Sequence, residues 1–292
     1  MKEHFHTDRT FKDKVVIVTG AAQGLGRAYV QALLNSGACV VASDLGTDSE
    51  GEGADSSIMA EAARTLRVGN GQLIIHSGQL DDEVCCKELI SLAIAHFGRL
   101  DILIHNAGWV GYQPVEEQEE DFLERALGIN VRAPVWLCKH AWKYLKESSA
   151  ARIVLNTSDR AMYQRYALPG LTAYAAGKMA QIGIMNALSR EGQPQGILVN
   201  AISPVAKTRM WGITQPPENL KPEWVVPGVL YLASSLCHDT GVILRASNGQ
   251  FTATRFCENP GVDYPTHLAR ICCESIEDIA RNWSLIKEFG DA

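Results

Sequence analysis

Short apolar runs alternate with longer segments of helical periodicity along most of the chain. The runs have the length of strands and are apolar without alternation, which is typical of strands buried on both faces of a sheet. We predict strands at residues 15–18, 39–43, 73–75, 102–104, 153–156 and 197–202, with a seventh near 241–245.

The segments between these runs repeat their apolar residues at helical spacing. They predict helices at residues 25–36, 56–66, 82–97, 119–146, 172–191 and 223–237, the fourth of them long and bent. Strands that alternate with helices favour a parallel sheet covered on both faces. We therefore expect an α/β fold with a doubly wound, Rossmann-like parallel sheet of about seven strands.

The alternation ends near residue 256, which divides the chain into a dinucleotide-binding and catalytic domain at 1–256 and a C-terminal extension at 257–292. A helix expected at 275–289 carries apolar residues at helical spacing, so we expect one of its faces to pack. Two stretches fit neither period, at 46–55 and 207–221. The second is a long loop, and long loops over a rigid sheet often cover a binding site.

Composition and charge exclude several classes of protein. Hydrophobic residues make up 46% of the chain, charged residues 21%, and the net charge is -6. No apolar run reaches the roughly 18 residues of a membrane span, and no block of lysine and arginine suits nucleic acid. We expect a small-molecule substrate, and a cytoplasmic location, because the start is polar and the end is no peroxisomal signal.

The eight cysteines show no Cys-x-x-Cys pair and no histidine at zinc spacing. We expect reduced thiols and no metal site.

A glycine-rich turn follows the first predicted strand, and a helix follows the turn. Glycines there let the backbone approach a pyrophosphate, whose charge is met by the helix N-terminus. Asp44, which follows the second strand, can accept hydrogen bonds from both ribose hydroxyls and would repel a 2′-phosphate. Neither Gln23 nor Leu45 supplies a positive charge for such a phosphate, so we predict NAD as the cofactor. The turn residues expected to bind it are Gly20, Gln23, Gly24, Leu25 and Gly26.

Tyr174 and Lys178 lie one helical turn apart between the fifth and sixth strands. A phenol becomes a base at neutral pH only if its pKa of about 10 falls by about 3 units. A positive charge at about 4 Å supplies an interaction of that size. The pair predicts proton transfer by Tyr174 coupled to hydride exchange with a secondary alcohol or ketone.

The Thr-Gly-x-x-x-Gly-x-Gly turn and the Tyr-x-x-x-Lys pair together resemble the short-chain dehydrogenase/reductase family over roughly residues 11 to 250. The resemblance implies that Ser158, with Thr157 as the alternative, holds the substrate oxygen, and that Asn130 orders a water that relays protons to Lys178. It implies further cofactor contacts at Asn106, Ala107, Gly108, Pro204 and Thr208, besides Tyr174 and Lys178 themselves.

Three features depart from the family pattern. His105 stands where the family has a first asparagine, and Val205 stands where it has a glycine. The chain also has about three extra residues between Ser158 and Tyr174, so we expect a reshaped loop over the substrate. The carboxylate that follows the third strand in the family has no match near Gly78 and Gln79.

The loop after Asp44 and the segment 220–227 are similar to the (3R)-hydroxyacyl-CoA dehydrogenase branch of the family, found in multifunctional enzymes of type 2. This similarity implies a (3R)-3-hydroxyacyl thioester as substrate and a homodimer. Two alternatives stay open. One is a dehydrogenase of a steroid, polycyclic or other bulky secondary alcohol, and the other is a non-catalytic NAD-binding regulatory protein.

Overall fold

The computed structural model describes residues 9–48, 50–208 and 217–288. Its strands form one eight-stranded sheet in the order β3-β2-β1-β4-β5-β6-β7-β8, and the first seven are parallel to their neighbours. The strands are β1 Val15–Thr19, β2 Cys39–Ser43, β3 Gln72–His76, β4 Ile102–His105, β5 Arg152–Asn156, β6 Leu198–Val205, β7 Ile243–Ser247 and β8 Gln250–Thr254. The strand order reverses between β1 and β4, which confirms the predicted doubly wound fold.

Strand β8 was not predicted. It follows β7 after only two residues, Asn248 and Gly249, whose φ angles are 52° and 76°. Two left-handed residues in a two-residue connection are typical of a hairpin turn, which joins antiparallel strands. Because β8 is an exposed edge strand with polar residues, it lacks the apolar run by which the other strands were found.

Nine helices are present in the described part of the chain, and none of those helices combines the length and the apolar character that a membrane crossing requires. They are α1 Gly24–Asn35, α2 Ser56–Thr65, α3 Glu83–Phe97, α4 Glu120–Leu127, α5 Ala133–Leu145, α6 Asp159–Met162, α7 Thr172–Gly192, α8 Val226–Ala233 and α9 Ile276–Ile286.

The long helix predicted at 119–146 is interrupted. A π-helical turn, Gly128–Arg132, separates α4 from α5. Pro134 explains the break, because it has no N–H to donate to the carbonyl of Asn130 four residues earlier. The widened turn places the Asn130 side chain in the interior.

The two faces of the sheet are buried by different helices. Val16 and Val18 of β1 pack with side chains of α1, α2 and α8, whereas Ile17 packs with α3, α5 and α7. Burial on both faces explains why the strands read as continuous apolar runs.

The chain forms two compact units, residues 1–253 and 254–292. In the second unit, Ser275 caps α9 by accepting a hydrogen bond from the Asp278 N–H at 3.1 Å. No residue of α9 is buried, so the packing expected for its apolar face is not seen among the described residues.

Candidate active site

Gly20 and Gln23 lie in the turn between β1 and α1, and Gly24, Leu25 and Gly26 form the start of α1. Gly20 and Gly24 have φ angles of 64° and 53°, in the left-handed region. A Cβ atom at Gly26 would lie 2.0 Å from the carbonyl oxygen of Gly20, so only glycine fits there. Gln23 stands at the N-cap of α1 but gives no side-chain cap. The first N–H groups of α1 therefore lack a capping side chain, as an anion site requires.

Asp44 links the end of β2 to this turn. Its Oδ2 accepts the N–H of Ala22 at 2.9 Å, and its Oδ1 accepts the N–H of Gly46 at 2.9 Å. Each carboxylate oxygen can accept a further hydrogen bond, and the residue is only half-buried. The Asp44 carboxylate thus ties the loop together and still has the capacity to accept hydrogen bonds from ribose hydroxyls.

The turn after β4, with Asn106, Ala107 and Gly108, lies against the end of β1. The Asn106 side chain donates to the carbonyls of Thr19 and Gly20, both at 3.1 Å. The N–H groups of Asn106 and Ala107 donate to the Thr19 hydroxyl. These bonds fix the two turns that flank the crevice at the switch point of the sheet.

His105 completes this set of bonds in place of the family's asparagine. Because the Thr19 hydroxyl already accepts two N–H groups, it donates its own proton to His105 Nδ1, 3.1 Å away. The opposite ring nitrogen, Nε2, then donates to the carbonyl of Ile129 at 3.2 Å. Burial, and secondarily the charge of Lys178, lowers the pKa of His105 to about 3. The imidazole is therefore neutral, and its role in the contacts was not foreseen from the sequence.

Lys178 lies fully inside the protein at the end of β5. Its amine donates to the carbonyl of Asn156 at 2.8 Å, and burial lowers its pKa to about 7. A Cβ atom at Gly108 would lie 3.0 Å from Nζ and 3.2 Å from Asn130 Oδ1. The lysine amine and the Asn130 amide oxygen thus both border the turn after β4.

Asn130 has one unsatisfied atom. Its amide nitrogen donates to the carbonyl of Ala126 at 3.0 Å, but its buried Oδ1 has no hydrogen-bond partner in the described structure. A buried acceptor without a partner is rare and fits an ordered water. Gly177 makes room for this arrangement, because a Cβ there would lie 2.7 Å from the Asn130 Cβ.

Ser158 follows β5, which ends at Asn156, and caps α6, where its Oγ accepts the N–H of Arg160 at 3.2 Å. Ser158 also lies close enough to the Tyr174 hydroxyl to lower the pKa of the phenol. The alternative, Thr157, is buried and donates its hydroxyl to the carbonyl of Lys178 at 2.8 Å. Thr157 therefore docks α7 on β5, and Ser158 is the hydroxyl that meets Tyr174.

The pKa of Tyr174 is raised, against the direction that the sequence argument required. Burial raises it, and the hydrogen bond from Ser158 together with the charge of Arg160 offsets only part of that effect. The Lys178 amine is bonded to the carbonyl of Asn156 and lies 5.9 Å from the centre of the phenol ring. The four residues of the predicted catalytic set nevertheless share one end of the sheet.

Pro204 lies in β6, and Thr208 follows that strand. A Cβ atom at Gly24 would lie 3.0 Å from Thr208 Cγ2, so Thr208 borders the glycine-rich turn. Of the loop expected to cover the site, residues 209–216 lie outside the described part of the chain. Lys207, before that gap, donates to the Asn219 side chain at 2.6 Å.

Several contacts around the site were not predicted. Arg160 donates to the Tyr112 hydroxyl at 2.6 Å, which joins α6 to the loop after β4. Trp109, in the turn after Gly108, donates to the carbonyl of Glu50 at 2.6 Å. These pairs are remote in sequence, and no local pattern indicates them.

The chain matches the short chain dehydrogenase family over residues 14–218. The chain belongs to the short-chain dehydrogenase family. This membership confirms the resemblance to the family that the sequence motifs indicated.

Two relatives within this family are multifunctional proteins. Peroxisomal multifunctional enzyme A of Dictyostelium discoideum is 30% identical over 96% of this chain and 62% of its own length. Peroxisomal multifunctional enzyme type 2 of Mus musculus is 30% identical over 97% of this chain and 38% of its own length. The chain thus spans less than two thirds of these relatives.

One solved structure shows the same fold. A short chain dehydrogenase from Mycobacterium paratuberculosis, bound to NAD, superposes with a TM-score of 0.74 at 22% identity. The match covers 82% of this chain and 98% of that one.

The buried Lys178 predicts a pH dependence of stability. Its pKa is lower in the folded than in the unfolded chain, so the unfolded chain binds more protons between about pH 7 and pH 10. The free energy of unfolding should therefore rise with pH across that window. Across this window the free energy of unfolding should rise by about 3 kcal/mol in the wild type, and Lys178→Met should abolish that rise. The measurement is urea unfolding at several pH values.

The exposed Lys143 gives the matched control, because Lys143→Met should leave the pH slope of the wild type unchanged. An identical slope in wild type and Lys178→Met would contradict a depressed lysine pKa.

Proposed function

We propose that this protein oxidises (3R)-3-hydroxyacyl thioesters with NAD, or reduces the matching 3-ketoacyl thioesters, with Tyr174 as the acid and base. The observation that carries the proposal is that Ser158 lies beside Tyr174, close enough to lower the pKa of the phenol, next to the buried amine of Lys178. This set lies at the same end of the sheet as the glycine-rich turn, where a dinucleotide would bring its nicotinamide.

The residues fit NAD at both ends of the crevice. The uncapped start of α1 and the close-packed glycines suit the pyrophosphate, and the free lone pairs of Asp44 suit the ribose hydroxyls. When bound, the oxidised cofactor accepts a hydride from the carbinol carbon and brings a positive ring near the phenol. The NAD carried by the Mycobacterium paratuberculosis protein supports the same choice.

The remaining steps belong to the side chains of this chain. Ser158 donates a hydrogen bond to the substrate oxygen and keeps its proton, and Tyr174 takes the alcohol proton during oxidation. The proton then leaves through Lys178 and a water held by the free Oδ1 of Asn130. A lysine with a pKa near 7 can give and take protons at neutral pH, which suits a relay.

The substrate class rests on the relatives and on the loop after β5. Both multifunctional relatives align with nearly the whole chain, which supports the thioester. The loop of residues 159–171 presents an apolar and aromatic surface, in which Tyr166 and Leu168 are exposed. A bulky ring alcohol is the second candidate, because the extra residues of this loop would shape a wider pocket. The homodimer and the cytoplasmic location stay predictions.

A cofactor test addresses Asp44. We expect NAD to be preferred over NADP, because a 2′-phosphate would meet the Asp44 carboxylate. Asp44→Ser should weaken NAD binding about tenfold, a loss of about 1.4 kcal/mol, and narrow the gap to NADP. Binding is measured by titration calorimetry with both cofactors.

Asp55→Ser is the control, because it removes a nearby carboxylate while serine keeps the capping role of Asp55 at α2. Equal affinity of the unmodified protein for NADP and NAD would overturn the assignment.

A substrate panel tests the activity itself. Purified protein with NAD is assayed against 3-hydroxyacyl-CoA esters of several chain lengths in both configurations, hydroxysteroids and simple secondary alcohols. We expect the (3R) esters to give the highest kcat/KM. Tyr174→Phe should lower kcat by about 10³-fold or more and leave the NAD affinity within about twofold, because the phenol acts in proton transfer.

Tyr29→Phe is the matched control, since the buried Tyr29 hydroxyl has no hydrogen-bond partner in the described structure and lies in the core. Preference for (3S) esters or for steroids would reject a (3R)-3-hydroxyacyl thioester as the substrate. No turnover of any alcohol would favour the non-catalytic alternative.

A further inference from the structure

Asp159, the first residue of α6, is bound to the sheet by three donors. Its carboxylate accepts hydrogen bonds from Nε and Nη2 of Arg245, at 3.0 and 2.7 Å, and from the hydroxyl of Ser203 at 2.7 Å. Ser203 and Arg245 are register partners on β6 and β7, so their side chains leave the sheet side by side. The side chains of Asp159 and Arg245 are 16% and 24% exposed, which largely shields the ion pair from solvent.

This contact fixes an orientation as well as a distance. A guanidinium that binds a carboxylate through two N–H groups holds it in one plane, unlike a lysine. The Arg245 guanidinium also lies 4.8 Å from the ring centre of Tyr163 and 6.0 Å from that of Tyr166. One side chain of β7 thus contacts both the first turn of α6 and the aromatic part of the loop that follows it.

The first turn of α6 in turn sets the hydroxyl of Ser158. The Ser158 Oγ accepts the backbone N–H of Arg160, which occupies part of its acceptor capacity and leaves its own proton free to donate. The Tyr174 hydroxyl lies beside this Oγ, and Ser158 lowers the pKa of the phenol. A rotation of α6 would move the Arg160 N–H and with it the direction in which Ser158 donates.

We propose that Arg245 is a positioning residue, which holds α6 through Asp159 so that the Ser158 hydroxyl stays beside Tyr174 and points at the substrate oxygen. The proposal rests on the proposed function, in which Ser158 and Tyr174 act on the substrate. Arg245 itself touches neither of them in the contacts above and acts through the helix turn.

A direct electrostatic effect is the competing explanation, and the charges around Tyr174 define it. Arg160 of α6, Tyr112 of the loop after β4 and Lys178 of α7 face the phenol. Loss of Arg245 alone would leave the negative charge of Asp159 unpaired near this set. A double change that removes both charges separates positioning from electrostatics.

The experiment compares Arg245→Met, Asp159→Asn, the double variant and Arg245→Lys with the wild type. The pKa of Tyr174 is measured by NMR of Cζ-labelled tyrosine in the NAD-bound protein, with Tyr174→Phe for assignment. We expect the first three variants to raise that pKa by about one unit, a tenfold change in proton affinity. With (3R)-3-hydroxydecanoyl-CoA they should lower kcat about tenfold near neutral pH without changing the Kd of NAD.

Arg245→Lys should fall between wild type and Arg245→Met, because lysine keeps the charge but not the two-point contact. Asp159→Asn keeps the shape of the side chain, so it tests the loss of the ion pair if Arg245→Met does not fold. Arg99→Met is the matched control. This change breaks a two-point ion pair with Asp101. Asp101 also accepts the N–H of Val15, at the opposite end of β1 from the site. We expect Arg99→Met to leave the Tyr174 pKa unchanged.

A double variant that returns to the wild-type pKa and kcat would overturn the proposal in favour of direct electrostatics. So would an Arg245→Met protein with an unchanged Tyr174 pKa. If the pKa changes as expected while the wild type does not oxidise the thioester, the positioning role stands and the proposed substrate fails.

Discussion

A lysine amine buried at the carboxyl end of the sheet is the constraint on which the rest of this site depends. The Lys178 amine donates a hydrogen bond to the carbonyl of Asn156, and the Thr157 hydroxyl donates one to the carbonyl of Lys178. Gln181, one turn later in α7, accepts the N–H of Asn156 at 3.0 Å. Three polar contacts thus dock α7 on the end of β5, and this docking places Tyr174 next to Ser158.

The same burial sets the chemistry of the site. Removing the amine from water lowers the pKa of Lys178 to about 7, and removing the phenol from water raises that of Tyr174. In the protein alone, the Tyr174 phenol therefore holds its proton tightly, whereas the Lys178 ammonium beside it holds its proton weakly. A positive cofactor ring is the group that would favour the phenolate, so in this account Tyr174 becomes a base only in the NAD complex.

Much of this arrangement could be predicted from the sequence, because it depends on local patterns. Strands buried on both faces leave continuous apolar runs, and the turn at Gly20 to Gly26 and the Tyr174 and Lys178 pair are short motifs. The edge strand β8 was not predicted, because it has no such apolar run. The π-helical turn follows from Pro134, and we had predicted only a bend in this helix.

The unpredicted parts depend on contacts between distant residues. Asp159 and Arg245 are 86 positions apart, and their register becomes visible only once β6 and β7 are paired. The direction of the Tyr174 pKa depends on where the Lys178 amine points, which sequence spacing does not determine. His105 illustrates the same limit, since its neutral state follows from burial and from the Thr19 hydroxyl.

The most direct test of the account is the pKa of Tyr174 in the wild type with and without NAD, read from the Cζ resonance of labelled tyrosine. The account predicts a pKa above the ordinary value of about 10 in the protein alone and a fall of at least about two units when NAD is bound. A pKa that is the same in both states, or already low without NAD, would contradict it.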